Sequence, residues 1–471
     1  MTDTMQDAML ANRTYAEIQV GDQAQLVRTL TQKDIESFAA VSGDRNPAHL
    51  NAEYAAGTRF KSVIAHGMWG GSLISAVLGM RFPGPGTIYL SQTLSFSKPV
   101  YIGDTLTVLL TAIEKIDAKR QVVLDCKVTN QNGECVLSGQ ARVMAPDKKV
   151  EILDNYSPKI TLSDPSARLQ ELLEKGKDLP AVRCAIVHPC DEESLAGALL
   201  AAEHGLIVPV LVGPLERIRA IAEKAGLNLQ GVELCHAEHS HSSAELAAAM
   251  AARGEVGALM KGSLHTDEMM HAVLSQPGLR TARRVSHVFR FDVPMYRKPL
   301  LITDAAINIR PDLLTKQDIV QNAIDLARVL GTVTPKVAIL SAVEMVNPQI
   351  PSTIEAAALC KMADRGQITN ALLDGPLAFD NAVSPHAVQV KHIQSQVAGD
   401  ADILLVPDLE SGNMLSKQLE YLAGASASGV VLGARVPIAL TSRSDGRSER
   451  LASALLVKLL AAAQLLYPSR H

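Results

Sequence analysis

At 471 residues, 47% of them hydrophobic, the chain can bury more than one core, because single cores stop growing at roughly 250 to 300 residues. A net charge of −4, from 45 basic and 49 acidic residues, leaves no basic face of the kind that nucleic acid or an anionic membrane selects. Small-molecule partners are expected, with no nucleic acid and no membrane.

The N-terminal stretch M-T-D-T-M-Q-D-A has no basic segment followed by an apolar block, so no secretory signal is read there. Leu451 to Tyr467, the greasiest run, is broken by Lys458 and is too short to span a bilayer. A soluble, cytoplasmic protein is expected. Cys126, Cys135, Cys184, Cys190, Cys235 and Cys360 form no CxxC pair, and in a chain this long they read as reduced and mostly buried.

Thr31 is a plausible N-cap, and Ile35, Phe38 and Ala39 recur at helical spacing until Gly43 ends the helix. A second helix, about Met68 to Leu78, is apolar on most faces and rich in Gly and Ala, as a buried helix would be. Beyond Pro83 and Pro85 the period changes to that of strands: Ile88 to Phe96, Leu106 to Ile113, Val122 to Val128 and Val136 to Val143. Asn132-Gly133 predicts a two-residue type I′ turn, which would set Cys126 opposite Gly139 and Cys135 opposite Asn130, leaving the two cysteines unbridged. A helix followed by an antiparallel meander is an α+β arrangement in which the sheet wraps the helix.

The loop leaving the first helix carries chemistry. Val41 to His49 reads V-S-G-D-R-N-P-A-H, and Pro47 stiffens the path between Asn46 and His49, so Asp44 and His49 can aim at one point. A carboxylate and an imidazole converging on one water can activate it and pass on its proton, as hydration of an activated double bond requires. The developing enolate oxygen then needs a fixed donor, and His66-Gly67-Met68 offers the amide of Gly67 at a helix start. The plainer alternatives are an Asx turn at Asp44 and Asn46, a structural histidine at His66, and Trp69 as core or pocket wall.

G-D-x-N-P-x-H followed by H-G-M resembles the MaoC-like, (R)-specific enoyl-CoA hydratases of the hot-dog fold, over roughly the first 150 residues. The resemblance implies Asp44 and His49 as the catalytic acid/base pair, Asn46 as the residue that orients the loop, and the Gly67 amide as the oxyanion donor.

Ala145 to Lys149 closes the meander and Tyr156 to Pro165 is polar with two prolines, which sets domains at 1–156 and 157–471. From Val182 onward, short apolar runs alternate with Ala/Leu/Glu-rich helices. Residues 185–187, 207–212, 257–260, 300–303, 337–340, 403–406, 430–432 and 438–440 read as strands of a mostly parallel sheet covered on both faces. Ligands of such sheets bind beyond the strand C-termini. Met260-Lys261-Gly262-Ser263 is one such end, leading to a helix capped by Thr266. T-D-A-A-I-N from Thr303, D-G-P-L-A-F-D from Asp374 and T-S-R-S-D from Thr441 follow others. Arginine and hydroxyls at a helix N-terminus make an anion site.

These segments, with V-P-D-L-E-S-G-N, resemble the phosphate acetyltransferase and phosphate butyryltransferase family across most of the last 300 residues. The resemblance implies a two-part α/β fold with residues 313–434 as an inserted subdomain, and a cleft for coenzyme A and an acyl phosphate. Arg443 would bind the phosphoryl group and Ser442 would stabilise the charge that develops as the CoA thiolate attacks. Glu449 or Asp445 would take the thiol proton. Lys261 is either a phosphate or CoA contact or a solvated charge.

Cys235, His236, His239 and His241 crowd together, but without a second ligand pair at zinc spacing they read as helix-entry residues. No metal and no bound cofactor are expected, coenzyme A being a substrate. The leading reading is a two-site enzyme: enoyl-CoA hydration in the first half and acyl exchange between CoA and phosphate in the second. The partners would be enoyl-CoA, acyl-CoA, acyl phosphate or inorganic phosphate, and a second copy of the chain. The alternative is that only one half is catalytic, the C-terminal domain being a CoA-binding or oligomerisation module.

Overall fold

The computed structural model describes residues 9–153, 165–441 and 446–466. The chain divides into two compact units, Met1–Leu162 and Ser163–His471; the expected boundary near Ser157 lies outside the described residues.

In the first unit the strands are β1 (Met9–Ala11), β2 (Gln23–Thr29), β3 (Ile88–Gln92), β4 (Ser95–Phe96), β5 (Thr105–Ile116), β6 (Gln121–Thr129), β7 (Cys135–Met144) and β8 (Glu151–Leu153). The helices are α1 (Gln32–Ser42), α2 (Pro47–Leu50), α3 (Ala52–Gly57) and α4 (Gly67–Met80). An antiparallel sheet in the order β2-β5-β6-β7-β3, with β4 also on β7, wraps α4. Leu106, Val108, Leu110 and Ala112 alternate inward from β5 and meet Ile74, Val77 and Leu78 of α4 in one fully buried cluster. Each large side chain there contributes about 1.5–3 kcal/mol. Within the unit α4 buries one face only, with Met68 and Met80 exposed.

Three expectations are corrected and one strand is added. The run from Ile88 to Phe96 is two strands, because the chain at Thr93 rises over β7, where a Cβ on Gly139 would lie 1.8 Å from the Thr93 carbonyl oxygen. Strand β2 was not foreseen: it is an edge strand whose alternation, Ala24 and Leu26 against polar neighbours, is short and weak. The hairpin turn is not type I′, since of Asn132 and Gly133 only Gly133 has positive φ, at 75°. Gly133 N–H donates to Asn130 O at 3.0 Å and the Asn130 side chain accepts from Asn132 and Glu134 N–H, a turn with one added left-handed residue. Cys126 stands opposite Gly139 as expected, but an irregularity beyond Val128 sets Cys135 opposite Thr129 rather than Asn130. All six cysteines are free.

The second unit holds β9 (Val182–Val187), β10 (Ile207–Gly213), β11 (Glu233–His236), β12 (Ala258–Lys261), β13 (Ser286–Asp292), β14 (Leu300–Thr303), β15 (Lys336–Leu340), β16 (Leu372–Leu377), β17 (Ile403–Leu405), β18 (Ser426–Leu432) and β19 (Ile438–Ala439). They form one eleven-stranded sheet in the order β11-β10-β9-β12-β19-β18-β13-β14-β17-β15-β16. Pairing is parallel except at β19/β18, β18/β13 and β13/β14. The D-G-P segment lies inside β16 instead of following a strand. The helix after β12 is capped by His265, one residue before Thr266.

These three antiparallel pairings reverse the strand direction between the two halves of the sheet, yet both halves end at one level. Met260, Ala439, Val430, Val288 and Thr303 are successive partners across the sheet. The ends of β12, β19 and β14, each followed by a motif segment, therefore share a row.

Candidate active sites

Thr31 and Asp34 close a reciprocal capping box on α1, and Gly43, at φ 77°, ends that helix. Asp44 follows on an exposed loop, its carboxylate accepting from Asn46 N–H at 3.1 Å. Asn46 caps α2 through Ala48 N–H at 3.0 Å, and Pro47 is the first helical residue. The Asx turn and the convergence of side chains are thus both present.

His49 Nδ1 lies 2.8 Å from the Ile64 carbonyl oxygen. A carbonyl only accepts, so Nδ1 carries the proton and Nε2 keeps a free lone pair in the neutral ring. His66, 3% exposed, does the converse: its Nε2 donates to the Asp44 carbonyl oxygen at 3.0 Å, and its buried Nδ1 has no partner among the described residues. The two rings lie 3.9 Å apart. Donor atoms of Asp44, His49 and His66 all fall within 4.8 Å of one another. His66, read from sequence as a structural neighbour of Gly67, thus joins the pair; only its place beside the helix start hinted at this.

A cavity of about 270 Å³ opens beside the pair, lined by His49, His66, Gly67, Trp69, Phe96 and Val136 among others. Asp44 does not line it and reaches the histidines from the outer loop. Gly67 begins α4, so its N–H has no partner within the helix. A Cβ at Gly67 would meet the Phe96 ring at 3.0 Å. Trp69 is both core, at 6% exposed, and pocket wall.

In the second unit Ser442, Arg443 and Asp445 lie outside the described residues. Thr441, just before them, is buried and accepts from Arg450 Nη1 at 2.9 Å. Arg450 is itself 3% exposed, packed where a Cβ on Gly197 would come within 2.7 Å of its Cδ. Sequence reading passed over Arg450, because an arginine one turn into a helix carries no motif signal. Glu449 is half-buried in the first turn of the helix Arg447–Leu466, its Oε2 turned toward Gly446.

Lys261 is not a solvated charge. It is 5% exposed, and its ammonium donates to the Leu264 carbonyl at 3.1 Å. Gly262 follows because a Cβ there would lie 2.5 Å from Val187 O and 2.7 Å from His188 O. Asp304 accepts from the N–H groups of Ala306, Ile307 and Asn308 and from Asn308 Nδ2. Burial pushes its carboxyl above the usual range against these four donors. The S-G-N segment packs on this turn: a Cβ at Gly412 would come 3.0 Å from Asp304 O.

A larger cavity, about 650 Å³, opens beyond the ends of β15 and β17, lined by Arg310, Lys316, Ser341, Glu355, Asp408 and Ser411 among others. Phe379 of the D-G-P-L-A-F-D segment and Val406, Pro407, Asp408 and Ser411 of the V-P-D-L-E-S-G-N segment line it, whereas Lys261, Asp304 and Glu449 do not. His239 caps the helix Ser240–Ala252 through Ser242 N–H at 3.1 Å and His241 meets Glu268 at 3.1 Å, so both serve the helix entry. Among the described residues no helix is long and apolar enough to cross a membrane.

Residues 16–132 match the MaoC like domain and residues 239–457 the phosphate acetyl/butaryl transferase family. A phosphate acetyltransferase of Rhizobium meliloti is 59% identical over 286 residues, 60% of this chain and 90% of that protein. The crystal structure of a branched-chain phosphotransacylase from Enterococcus faecalis is 29% identical with a TM-score of 0.53, covering 59% of this chain and 99% of that one. An unliganded R-hydratase from Pseudomonas aeruginosa is 47% identical with a TM-score of 0.32, covering 33% of this chain and 100% of that one. The chain therefore belongs to the phosphate acetyl/butyryl transferase family through its second unit and carries a MaoC-like hot-dog domain in its first, an enzyme that joins a transferase fold to a hydratase fold.

Proposed function

We propose that the first unit adds water across the double bond of a 2-enoyl-CoA, reversibly forming the 3-hydroxyacyl-CoA, and that the second exchanges an acetyl group between coenzyme A and phosphate. The observation that supports the first half is the hydrogen bond from His49 Nδ1–H to Ile64 O, which leaves Nε2 to act as the base. Water held between Asp44 and His49 gives its proton to Nε2 as its oxygen bonds to the β-carbon. The enolate oxygen is met by the Gly67 N–H, and the proton passes on to the α-carbon.

For the second half, CoA thiolate attacks the carbonyl carbon of acetyl phosphate and phosphate leaves. Arg443 holds the phosphoryl group, Ser442 steadies the developing charge, and Glu449 or Asp445 takes the thiol proton. Lys261 contributes by fixing the loop after β12, since its ammonium donates to the Gly262 and Leu264 carbonyl oxygens. Acetyl is favoured over butyryl because the relatives named phosphate acetyltransferase reach 59% identity and those named phosphate butyryltransferase 42%.

The test is to assay crotonyl-CoA hydration by loss of its enoyl absorbance, and acetyl-CoA formation from acetyl phosphate and CoA, on one preparation of the full chain. Both activities are expected. A preparation lacking acetyl-CoA formation contradicts the transferase half, and one lacking hydration leaves the second unit as the sole catalyst.

A further inference from the structure

Asp44, His49 and His66 present more than an acid and a base. His49 and His66 each donate one ring N–H to a main-chain carbonyl, Ile64 at 2.8 Å and Asp44 at 3.0 Å. Each therefore keeps one unprotonated nitrogen, Nε2 on His49 and Nδ1 on His66. A histidine that binds a metal is held in this way, its far N–H oriented by a carbonyl and its lone pair free. Among the described residues His66 Nδ1 is buried without a hydrogen-bond partner, a cost that a ligand to that nitrogen would remove.

The third donor is a carboxylate on a different kind of support. Asp44 sits on an exposed loop just after the left-handed Gly43, and among the described residues its side chain makes one hydrogen bond, to Asn46 N–H. One ligand atom from each of the three side chains lies within 4.8 Å of the others. Around a tetrahedral zinc ion with bonds of about 2.0–2.1 Å, donors stand roughly 3.4 Å apart. Asp44, on its exposed loop, is the donor with room to move, His66 being buried.

We propose that Asp44, His49 and His66 form a binding site for a divalent transition-metal ion, zinc above all, that takes the place of the water to be activated and so switches the first unit off. Two imidazoles and one carboxylate suit zinc and leave its fourth position open. The site departs from the sequence expectation of no metal, which weighed only the cysteine and histidine cluster near residue 239. Inhibition rests on the hydratase reading, but binding does not.

The experiment titrates the full chain with Zn²⁺ by calorimetry and with Co²⁺ by its visible d–d absorption. One equivalent per chain is expected, with the band intensity of a tetrahedral site. Asp44→Asn and His66→Gln should each weaken binding at least tenfold, while a His239→Ala, His241→Ala double variant binds as the wild type does. Asp44 is exposed, so Asp44→Asn keeps the test valid if His66→Gln fails to fold. One equivalent of Zn²⁺ should also abolish crotonyl-CoA hydration until a chelator is added, leaving acetyl-CoA formation unchanged. Absence of a one-equivalent site, or one lost in the His239/His241 variant and kept in Asp44→Asn, overturns the proposal. If binding follows Asp44 and His66 but the wild type hydrates nothing, the metal site stands and the hydratase reading fails.

Discussion

At the scale of single residues, the first site depends on which nitrogen of His49 carries a proton. The Ile64 carbonyl settles that, and no sequence pattern could, because Ile64 joins the loop only through the fold. The spacing from Asp44 to His49 did make the acid, the turn-forming Asn46 and the imidazole legible, since Pro47 confines them within one short stretch. His66 was underread because its partner, the Asp44 carbonyl, lies 22 residues away. Asp44→Asn and His49→Gln should each lower kcat/KM for crotonyl-CoA hydration by about 10²–10⁴-fold, the usual contribution of a positioned acid or base. Stopped-flow or steady-state assays check this; a loss under about threefold in both would remove the pair from the mechanism.

At the scale of elements, the motif segments of the second unit act through their neighbours. Lys261-Gly262 is legible as a strand end, yet its tightness is not, because the carbonyls of Val187 and His188 that crowd Gly262 belong to the end of β9 and the residue after it. Gly262→Ala should cost about 1–3 kcal/mol by overpacking against main-chain atoms that cannot turn aside. Denaturant midpoints measure it, and an unchanged midpoint would contradict the close approach. The Asn132-Gly133 turn teaches a similar lesson: the dipeptide marks the turn, but Asn130, bonded to two N–H groups beyond it, sets the type and hence the register of Cys135. Asp400 gives the acid dependence. Burial pushes its carboxyl up, but Lys336 and Lys298, at 2.8 and 3.0 Å, and Arg297 hold it well below the usual 3.8. A carboxylate depressed on folding adds stability that is present above 3.8 and is lost as pH falls toward its folded value. Asp400→Asn should therefore lower Tm at neutral pH and flatten its decline below about pH 4; equal declines in both proteins would contradict this role.

At the scale of the whole molecule, the sheet brings the ends of strands distant in sequence to one row. Three antiparallel pairings turn half of the sheet over, yet Met260, Ala439 and Thr303 remain on one row, so these strands end at a common level. Sequence reading found the strands by their apolar runs but not that row, which depends on the unforeseen β13. The central claim is that the chain holds two chemically separate sites, each working on CoA thioesters. It is tested most directly by measuring crotonyl-CoA hydration and acetyl-CoA formation side by side in Asp44→Asn and Arg443→Ala. The account predicts that Asp44→Asn loses hydration and keeps acetyl transfer while Arg443→Ala does the reverse. Loss of both activities in either variant, or of neither, would contradict it.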